Sequence, residues 1–333
     1  MSNETSTENK NTDKKKFDIF DFMYKYGTLI TILLLIIFFQ IVGRKFLDLS
    51  NVLNILRSIS IVTIIAIGVT VSLTVGGFDL SVGSTASLSG AVVMAMFIWH
   101  NQVSAASIIV AILASLVVGV INSIMIVKVK IPDMLMTLAT MFVFQGVALT
   151  YTKGAAISQN MVMSDGNFAK GHLTRFFTTL GQLPWIIIAM IIVVLIVHLF
   201  LNKTKQGRYM YIIGGNMEAA RLSGIQVNKY RVYAYLISSF LAGIGGIILA
   251  ARVQTAEVNA GAPYLMDAVA ATFIGFSVGG SGKPNAIGTF VGSVLIGILQ
   301  NGLVMMSVPY YAMDIVKGVV LAFALALTYY KKK

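Results

Sequence analysis

Long apolar runs alternate with short polar segments along almost the whole chain. A helix needs about 20 apolar residues to cross the hydrocarbon core of a bilayer, and about ten runs approach that length. They lie at residues 28–43, 52–75, 80–99, 105–127, 134–152, 184–201, 232–251, 264–280, 285–306 and 310–329. Backbone groups find no partner in lipid, so runs of this length form helices. The pattern predicts an all-α polytopic membrane protein with about ten transmembrane helices.

Small residues recur at four-residue spacing in several runs, which places them on one helix face and favours close packing. The sets are Gly83, Ser87 and Ala91, then Ala242, Gly246 and Ala250, then Gly288 and Gly292. The third and eighth runs hold many Gly, Ser and Ala residues. These two helices are therefore expected to be broken or tilted, which is tolerated only inside a bundle.

The composition agrees with a membrane protein, since 57% of the residues are hydrophobic and only 11% are charged. The mean hydropathy of +0.83 lies well outside the range of soluble domains. A net charge of +12 would indicate a nucleic-acid partner in a soluble protein. Here, with the N-terminus inside, basic residues favour the cytoplasmic segments by about two to one. Both termini are predicted to be cytoplasmic, and no nucleic-acid partner is expected.

The polar segments divide the chain into a tail and one transmembrane domain. Residues 1–26 are rich in Asn, Thr and Lys and are predicted to form a disordered cytoplasmic tail. Residues 27–333 form the transmembrane domain, which has two long loops. The loop at 153–183 is predicted to be extracytoplasmic, as a lid or docking surface. The loop at 202–231 is predicted to be cytoplasmic and carries several basic residues.

The cytoplasmic loop contains the stretch GGNMEAARLSGI at residues 214–225. Asn216 is a typical N-cap, Glu218 and Arg221 match the helix dipole, and Gly224 supplies a left-handed stop. The stretch predicts a helix over 216–223, about 10 Å long. A helix this short is unstable alone and must rest on membrane helices or a partner. The alternative is a plain surface connector.

A second motif, TVGGFDLSVGS, lies at residues 74–84 and is called the DLS motif below. Gly76 and Gly77 let the chain leave helical geometry, and Asp79 or Ser81 can cap the next helix. An aspartate at the edge of the bilayer core is costly unless it is paired or hydrated, so Asp79 is a candidate site residue. The alternative is a helix cap without substrate contact.

The stretch at 214–225 resembles the cytoplasmic coupling motif of ABC importer permeases. Its residues resemble the motif as it occurs in the carbohydrate-uptake branch, which includes ribose, galactose, xylose and autoinducer-2 permeases. The DLS motif is similar to the GGxDLSVGS signature of that branch. Residues 279–282 with Gly288 and Thr289 resemble its later glycine-rich region. The likeness runs from about residue 50 to 325 and identifies the family, but not one sugar.

The resemblance implies a permease subunit in the bacterial plasma membrane that moves a monosaccharide or small polyol by alternating access. It also implies a homodimer, embedded in lipid, with a cytoplasmic ATP-binding subunit and an extracytoplasmic substrate-binding protein. ATP is bound by the separate subunit and no cofactor is expected, because Ser277 and Pro284 break the P-loop pattern around Lys283. The residues implied in ATPase coupling are Gly214, Gly215, Asn216, Glu218, Ala219, Ala220, Arg221 and Gly224.

Uncharged polar residues in the spans outnumber buried charges, which suits a neutral, hydroxylated substrate. The candidates for the translocation path are Gly76, Gly77, Asp79, Ser81, Asn122, Gln145, Gln300 and Asn301. The alternative is that these side chains form hydrogen bonds between helices. Asp314 and Lys317, three residues apart at the start of the last run, are predicted to pair with each other.

Other functions remain open at this stage. A permease for nucleosides or branched-chain amino acids is the nearest alternative, although the residues of the two motifs, DLSVGS and EAARLSGI, favour sugars. An ion-coupled secondary transporter needs midplane acids in several spans, and only Asp79 and Asp267 come close. A membrane enzyme needs a catalytic cluster. The chain has no Cys and three scattered His residues, so neither catalytic nor metal-ligating residues are predicted.

Overall fold

The computed structural model describes residues 19–163, 165–278, 282–309, 311–319 and 322. These residues are almost entirely helical. The helices are α1 (Ile19–Gly43), α2 (Leu49–Thr74), α3 (Val82–Ile98), α4 (Ser104–Ile124), α5 (Asp133–Thr152), α6 (Arg175–Leu180), α7 (Trp185–Lys203), α8 (Lys205–Gly215), α9 (Met217–Leu222), α10 (Val227–Val253), α11 (Ala262–Gly275) and α12 (Ala286–Met305). A π-helical turn, Met125–Val129, extends α4, and residues 311–319 are helical. Two short strands, β1 (Ile157–Ser158) and β2 (Thr255–Ala256), pair antiparallel.

Seven helices of the described chain are long and apolar enough to cross a membrane: α1, α2, α4, α5, α7, α10 and α12. Helices α3 and α11 are apolar but shorter, with 17 and 14 residues. They occupy the third and eighth apolar runs, which the small-residue content had singled out. The polytopic all-α class is therefore confirmed, while the span count and the cytoplasmic placement of the termini stay predictions.

Helix α1 begins at Ile19, eight residues before the predicted start of the transmembrane domain. The helix extends into the segment that was expected to be a disordered tail, because the apolar residues of IFDFMY continue the helical pattern. The remainder of the predicted tail, residues 1–18, lies outside the described residues.

Helices α2 and α10 form the centre of the bundle. Helix α2 is buried almost continuously from Ile59 to Ser72 and packs against α7, α10, α11 and α12. Helix α10 packs against α2, α3 and α4. The crossing of α3 and α10 depends on Gly246, because a Cβ at this position would overlap the carbonyl oxygen of Ala86. Gly292 has the same role where α12 packs against α11, because a Cβ there would overlap the carbonyl oxygen of Ala271. Both glycines belong to the small-residue sets, so the predicted close packing is confirmed.

The long loop at 153–183 is folded onto one end of the bundle. Strand β1 pairs with β2, which directly follows α10, and the Phe177 ring of α6 lies 4.7 Å from the Phe97 ring of α3. The Arg57 guanidinium of α2 donates a hydrogen bond to the carbonyl of Gly181 at 3.2 Å. This loop therefore covers the ends of α3 and α10. Its extracytoplasmic side stays a prediction.

A charge pair connects α11 to the helical residues 311–319. The Lys317 ammonium donates to both carboxylate oxygens of Asp267, at 3.0 and 3.3 Å. The predicted partner, Asp314, lies farther away at 3.8 Å, and its side chain is 89% exposed. The Asp267 and Lys317 side chains are only 9% and 17% exposed. The chief partner of Lys317 is thus on another helix.

We expect Asp267→Asn to lower the midpoint of thermal unfolding of the purified protein in detergent. Removal of the Asp267 charge leaves the largely buried Lys317 with only the more distant, exposed Asp314 as an acidic partner, and the loss of a fully buried pair costs about 3–5 kcal/mol. Asp267→Leu combined with Lys317→Met should recover most of the loss, since no charge then stays buried. Asp314→Asn is the matched control and should have little effect. Equal losses in Asp314→Asn and Asp267→Asn would contradict this assignment.

Candidate functional site

Helix α9 has the start and stop that its residues predict. The Asn216 side chain caps the helix, because its Oδ1 accepts a hydrogen bond from the Ala219 amide at 2.9 Å. Gly224 follows the helix with φ +76°, a left-handed conformation that favours glycine. The Ile225 amide donates to the carbonyl of Ala220 at 3.0 Å, which closes the last turn. The predicted short helix is confirmed.

Gly214 and Gly215 belong to a separate helix, α8, which the sequence analysis missed. Thr204 caps α8, since its hydroxyl oxygen accepts a hydrogen bond from the Gly207 amide at 3.1 Å. The buried residues of α8 are Gly207, Met210 and Ile213, at three-residue spacing. The capping threonine and this spacing were the signals available for α8 in the sequence. The predicted loop at 202–231 therefore contains two connected short helices, together with the end of α7 and the start of α10.

The outer face of α9 is exposed and electrically balanced. Glu218 and Arg221, whose charges match the helix dipole, also form an ion pair at 2.7 Å along the helix. Leu222 is 91% exposed at the end of the helix, while Ala220 is buried against the bundle. Leu222 is therefore accessible at the end of α9, beside two charges that neutralise each other.

Gly214 brings α8 into backbone contact with the DLS motif. A Cβ at Gly214 would overlap the carbonyl oxygen of Thr74, the last residue of α2. Gly76 has φ +72°, and a Cβ there would lie 3.8 Å from the Gly214 Cα. The two motifs are far apart in sequence and were assigned separate roles. In the structure they are direct neighbours.

Helix α8 also contacts the chain before α12. The Tyr211 hydroxyl donates a hydrogen bond to the carbonyl of Pro284 at 2.8 Å. Burial raises the pKa of Tyr211, which keeps this hydroxyl protonated as a donor. Asn285 then caps α12 through the amide of Gly288. The predicted glycine-rich motif begins at 279–281, which lies outside the described residues, but the part that follows it is in contact with α8.

Asp79 is completely buried between α2 and α3. Its Oδ1 accepts hydrogen bonds from the backbone amide of Ser81 at 2.9 Å and from the Ser81 hydroxyl at 2.6 Å. Its Oδ2 accepts from the Ser238 hydroxyl of α10 at 2.7 Å. Both carboxylate oxygens are therefore occupied by donors of the protein. A buried carboxylate requires such donors to replace its lost hydration.

The hydrogen bonds continue from Ser81 into two more helices. The Asn122 side chain of α4 donates to the Ser81 hydroxyl oxygen at 2.9 Å and accepts from the Thr140 hydroxyl of α5 at 2.7 Å. All of these side chains are buried. The cluster of Asp79, Ser81, Asn122, Thr140 and Ser238 thus joins α3, α4, α5 and α10.

A second carboxylate, Asp133, lies against the loop at 75–81, close to Gly77. The Tyr235 hydroxyl donates to Asp133 at 2.6 Å, and Arg231 forms an ion pair with it. Gly77 fits beside Asp133 and Tyr235 only because it lacks a side chain, since a Cβ at this position would overlap the Tyr235 hydroxyl and the Asp133 carboxylate. Sequence analysis missed these three residues. Arg231 was counted only among the basic residues of a cytoplasmic loop, and Asp133, which follows Pro132, belongs to no recognisable motif.

The candidate path residues do not form one continuous surface. Gly76 lies next to Gly214 of α8, and hydrogen bonds join Asp79, Ser81 and Asn122. The Gln145 side chain donates to Asn259 at 3.1 Å, and Asn301 exchanges two hydrogen bonds with Asn51, at 3.0 and 3.1 Å. Gln300 is partly exposed on α12. The path role of these residues stays a prediction, since several already serve as partners between helices.

The family described as "Branched-chain amino acid transport system / permease component" matches residues 51–325. The chain belongs to this permease family. The ribose import permease protein RbsC of Bacillus subtilis is 35% identical over 327 residues, which cover 96% of this chain and 98% of the relative. The RbsC protein of Escherichia coli K12 is 35% identical over 298 residues, or 89% of this chain and 91% of the relative.

A more distant relative is the xylose transport system permease protein XylH of Haemophilus influenzae, which is 29% identical over 92% of this chain and 96% of the relative. No solved structure matches the chain. The relatives are transport permeases rather than enzymes. The resemblance to carbohydrate-uptake ABC permeases is confirmed, and the permease is a multi-pass protein of the inner membrane.

We expect Asp79→Asn to destabilise the purified permease, because an amide cannot accept at both positions that the carboxylate uses. Hydrogen bonds to charged groups contribute about 1.5–3 kcal/mol each, so the thermal midpoint should fall clearly. Ser238→Ala removes one donor and should cost less. Ser60→Ala is the control, since this buried hydroxyl donates only to Leu56 within its own helix. An unchanged midpoint with abolished transport would instead place Asp79 on the substrate path.

Proposed function

We propose that this permease is the membrane-spanning subunit of an ATP-binding-cassette importer for a ribose-like monosaccharide. The observation that carries the proposal is the similarity to ribose import permeases along nearly the whole chain. Relatives named for allose, xylose and galactose transport share the same family and extend the proposal to related monosaccharides or small polyols.

The chemistry of the bundle supports a neutral substrate. In the described part of the bundle, the buried Asp79 and Asp267 and the partly buried Asp133 are each hydrogen-bonded or ion-paired to protein groups. A carboxylate engaged in this way is not free to bind a coupling ion. The arrangement thus weighs against an ion-coupled secondary transporter.

The energy comes from a separate ATP-binding subunit that docks on α9. Leu222 is the apolar anchor of this contact, and Asn216 and Gly224 keep the helix short and rigid. Movement of α9 reaches α8 and then passes through Gly214 to the end of α2 and the loop at 75–81. The Asp79 cluster carries the displacement into α3, α4, α5 and α10, and a central path opens to alternate sides.

Two further partners complete the importer. An extracytoplasmic substrate-binding protein delivers the sugar to the bundle end that residues 153–183 cover. A second copy of the permease completes a homodimer, so the path lies between two bundles and the lipid contacts the remaining faces. The branched-chain amino acid description of the family supports one other cargo class, which is best separated by direct measurement of uptake.

We expect reconstituted permease to import radiolabelled ribose only when the ATP-binding subunit, the binding protein and ATP are all present. The chain carries no P-loop pattern around Lys283, so the permease alone should neither bind nor hydrolyse ATP. Uptake is measured in liposomes, with leucine and adenosine as competing cargoes. Ribose uptake driven by a proton or sodium gradient with the permease alone would contradict the proposal.

We expect two separable defects in the α8–α9 segment. Leu222→Asp should abolish co-purification of the ATP-binding subunit, because it places a charge in an apolar contact. Gly214→Ala should retain the ATP-binding subunit yet reduce uptake at least about tenfold, because its Cβ displaces α8 from Thr74. Co-purification and uptake are measured for each variant.

Gly215→Ala is the matched control, since it changes the neighbouring glycine and a Cβ there meets nothing within 4 Å. It should bind the ATP-binding subunit and transport at wild-type rates. Thermal midpoints of all three variants check that the bundle is folded. Normal uptake in both Leu222→Asp and Gly214→Ala would make this segment a plain connector.

A further inference from the structure

An unbroken row of lysine and tyrosine side chains connects α8 to α10. The Lys205 ammonium lies 5.5 Å from the centre of the Tyr209 ring, and the Lys229 ammonium lies 5.8 Å from that of Tyr233. Tyr230 joins the two pairs, with its ring 5.5 Å from Tyr209 and 6.2 Å from Tyr233. We call these five side chains the lysine–tyrosine row.

The charge of this row is not balanced by carboxylates of the residues that the structure describes. Lys203 and Arg208 lie next to it, and the Arg208 guanidinium donates to the Lys203 carbonyl at 3.5 Å. Within the described residues, neither these two nor Lys205 and Lys229 form an ion pair with a carboxylate. The nearby Arg221 and Arg231 differ, since each has an acidic partner. The surface therefore has a local excess of positive charge.

The lengths of the neighbouring helices indicate that the row lies near the level of the lipid headgroups. Helix α7 ends at Lys203, and α10 has 27 residues. At 1.5 Å per residue, α10 is about 40 Å long, which exceeds the hydrocarbon core of about 30 Å by several residues at each end. Tyrosines at such positions are typical of the membrane interface. Tyr230 and Tyr233 stand in the first two turns of α10 and fit this level.

An exposed apolar stripe continues from the row along α10. Tyr233 is 39% exposed, and Phe240, two turns farther along the same face, is 37% exposed. The exposed Ile212 of α8 adds apolar surface at the same end. A ligand that fits both features has an anionic head and a long apolar tail. A soluble acidic protein surface matches only the charge.

We propose that the lysine–tyrosine row binds the phosphate headgroup of an anionic phospholipid. The ammonium groups at the two ends of the row attract the anionic headgroup, and the tyrosine rings between them flank the glycerol region. One acyl chain lies along Tyr233 and Phe240. The site holds α8 against α10 at the base of the α8–α9 segment, so the lipid stabilises the position from which the segment acts.

Native mass spectrometry of the purified full-length permease tests the proposal, with equal amounts of phosphatidylglycerol and phosphatidylethanolamine as probes. Wild-type protein should retain phosphatidylglycerol preferentially. Lys205→Gln combined with Lys229→Gln should reduce that retention about tenfold, since each surface charge near a membrane contributes measurably to anionic-lipid binding. Lys128→Gln combined with Lys130→Gln is the control. It removes two exposed lysines beside the end of α4 that form no part of the row, and it should retain the lipid.

Co-purification of the ATP-binding subunit provides the second measurement. The Lys205 and Lys229 double variant should still bind that subunit, because the proposed docking helix is α9. Unchanged phosphatidylglycerol retention in this variant would overturn the proposal. Loss of the ATP-binding subunit with unchanged lipid retention would also overturn it and would assign the row to the protein contact. Equal loss in the control variant would show only general charge attraction, which likewise contradicts a site.

Discussion

The burial of the Asp79 carboxylate constrains much of this structure. A carboxylate removed from water needs hydrogen-bond donors, and here the donors come from Ser81 at the start of α3 and Ser238 in the middle of α10. Asn122 and Thr140 orient Ser81 from α4 and α5. Each of these helices must keep its position for the cluster to stay satisfied. The loop at 75–81 is thus held rigidly where it meets α8.

Rigidity at this loop matters because the proposed coupling segment, α8 and α9, is small. A helix of two turns such as α9 cannot hold its shape alone, and it gains support only from what it contacts. Gly214 places α8 directly against the end of α2, with no side chain between the two backbones. A contact of this kind transmits displacement well, since packed backbone is far less compressible than a flexible side chain.

Charges are distributed unequally over the permease. Inside the bundle, Asp79, Asp133 and Asp267 all have partners in the described structure, as burial demands. At the surface beside α8, Lys205 and Lys229 have aromatic neighbours but no carboxylate. Buried charges of the protein thus serve its own structure, and the exposed unbalanced ones face the membrane or a partner.

Local signals in the sequence determined the helical class, the short helix between Asn216 and Gly224, and the family. Apolar runs, helix caps and sequence motifs are each formed by residues close together in the chain, so they can be recognised without a structure. The pairing of Lys317 with Asp267, 50 residues away, was decided only by the packing of helices. The same holds for the contact between Gly214 and the DLS motif. Sequence spacing along one helix shows which residues share a face, but which face meets which neighbour depends on how all the helices pack together.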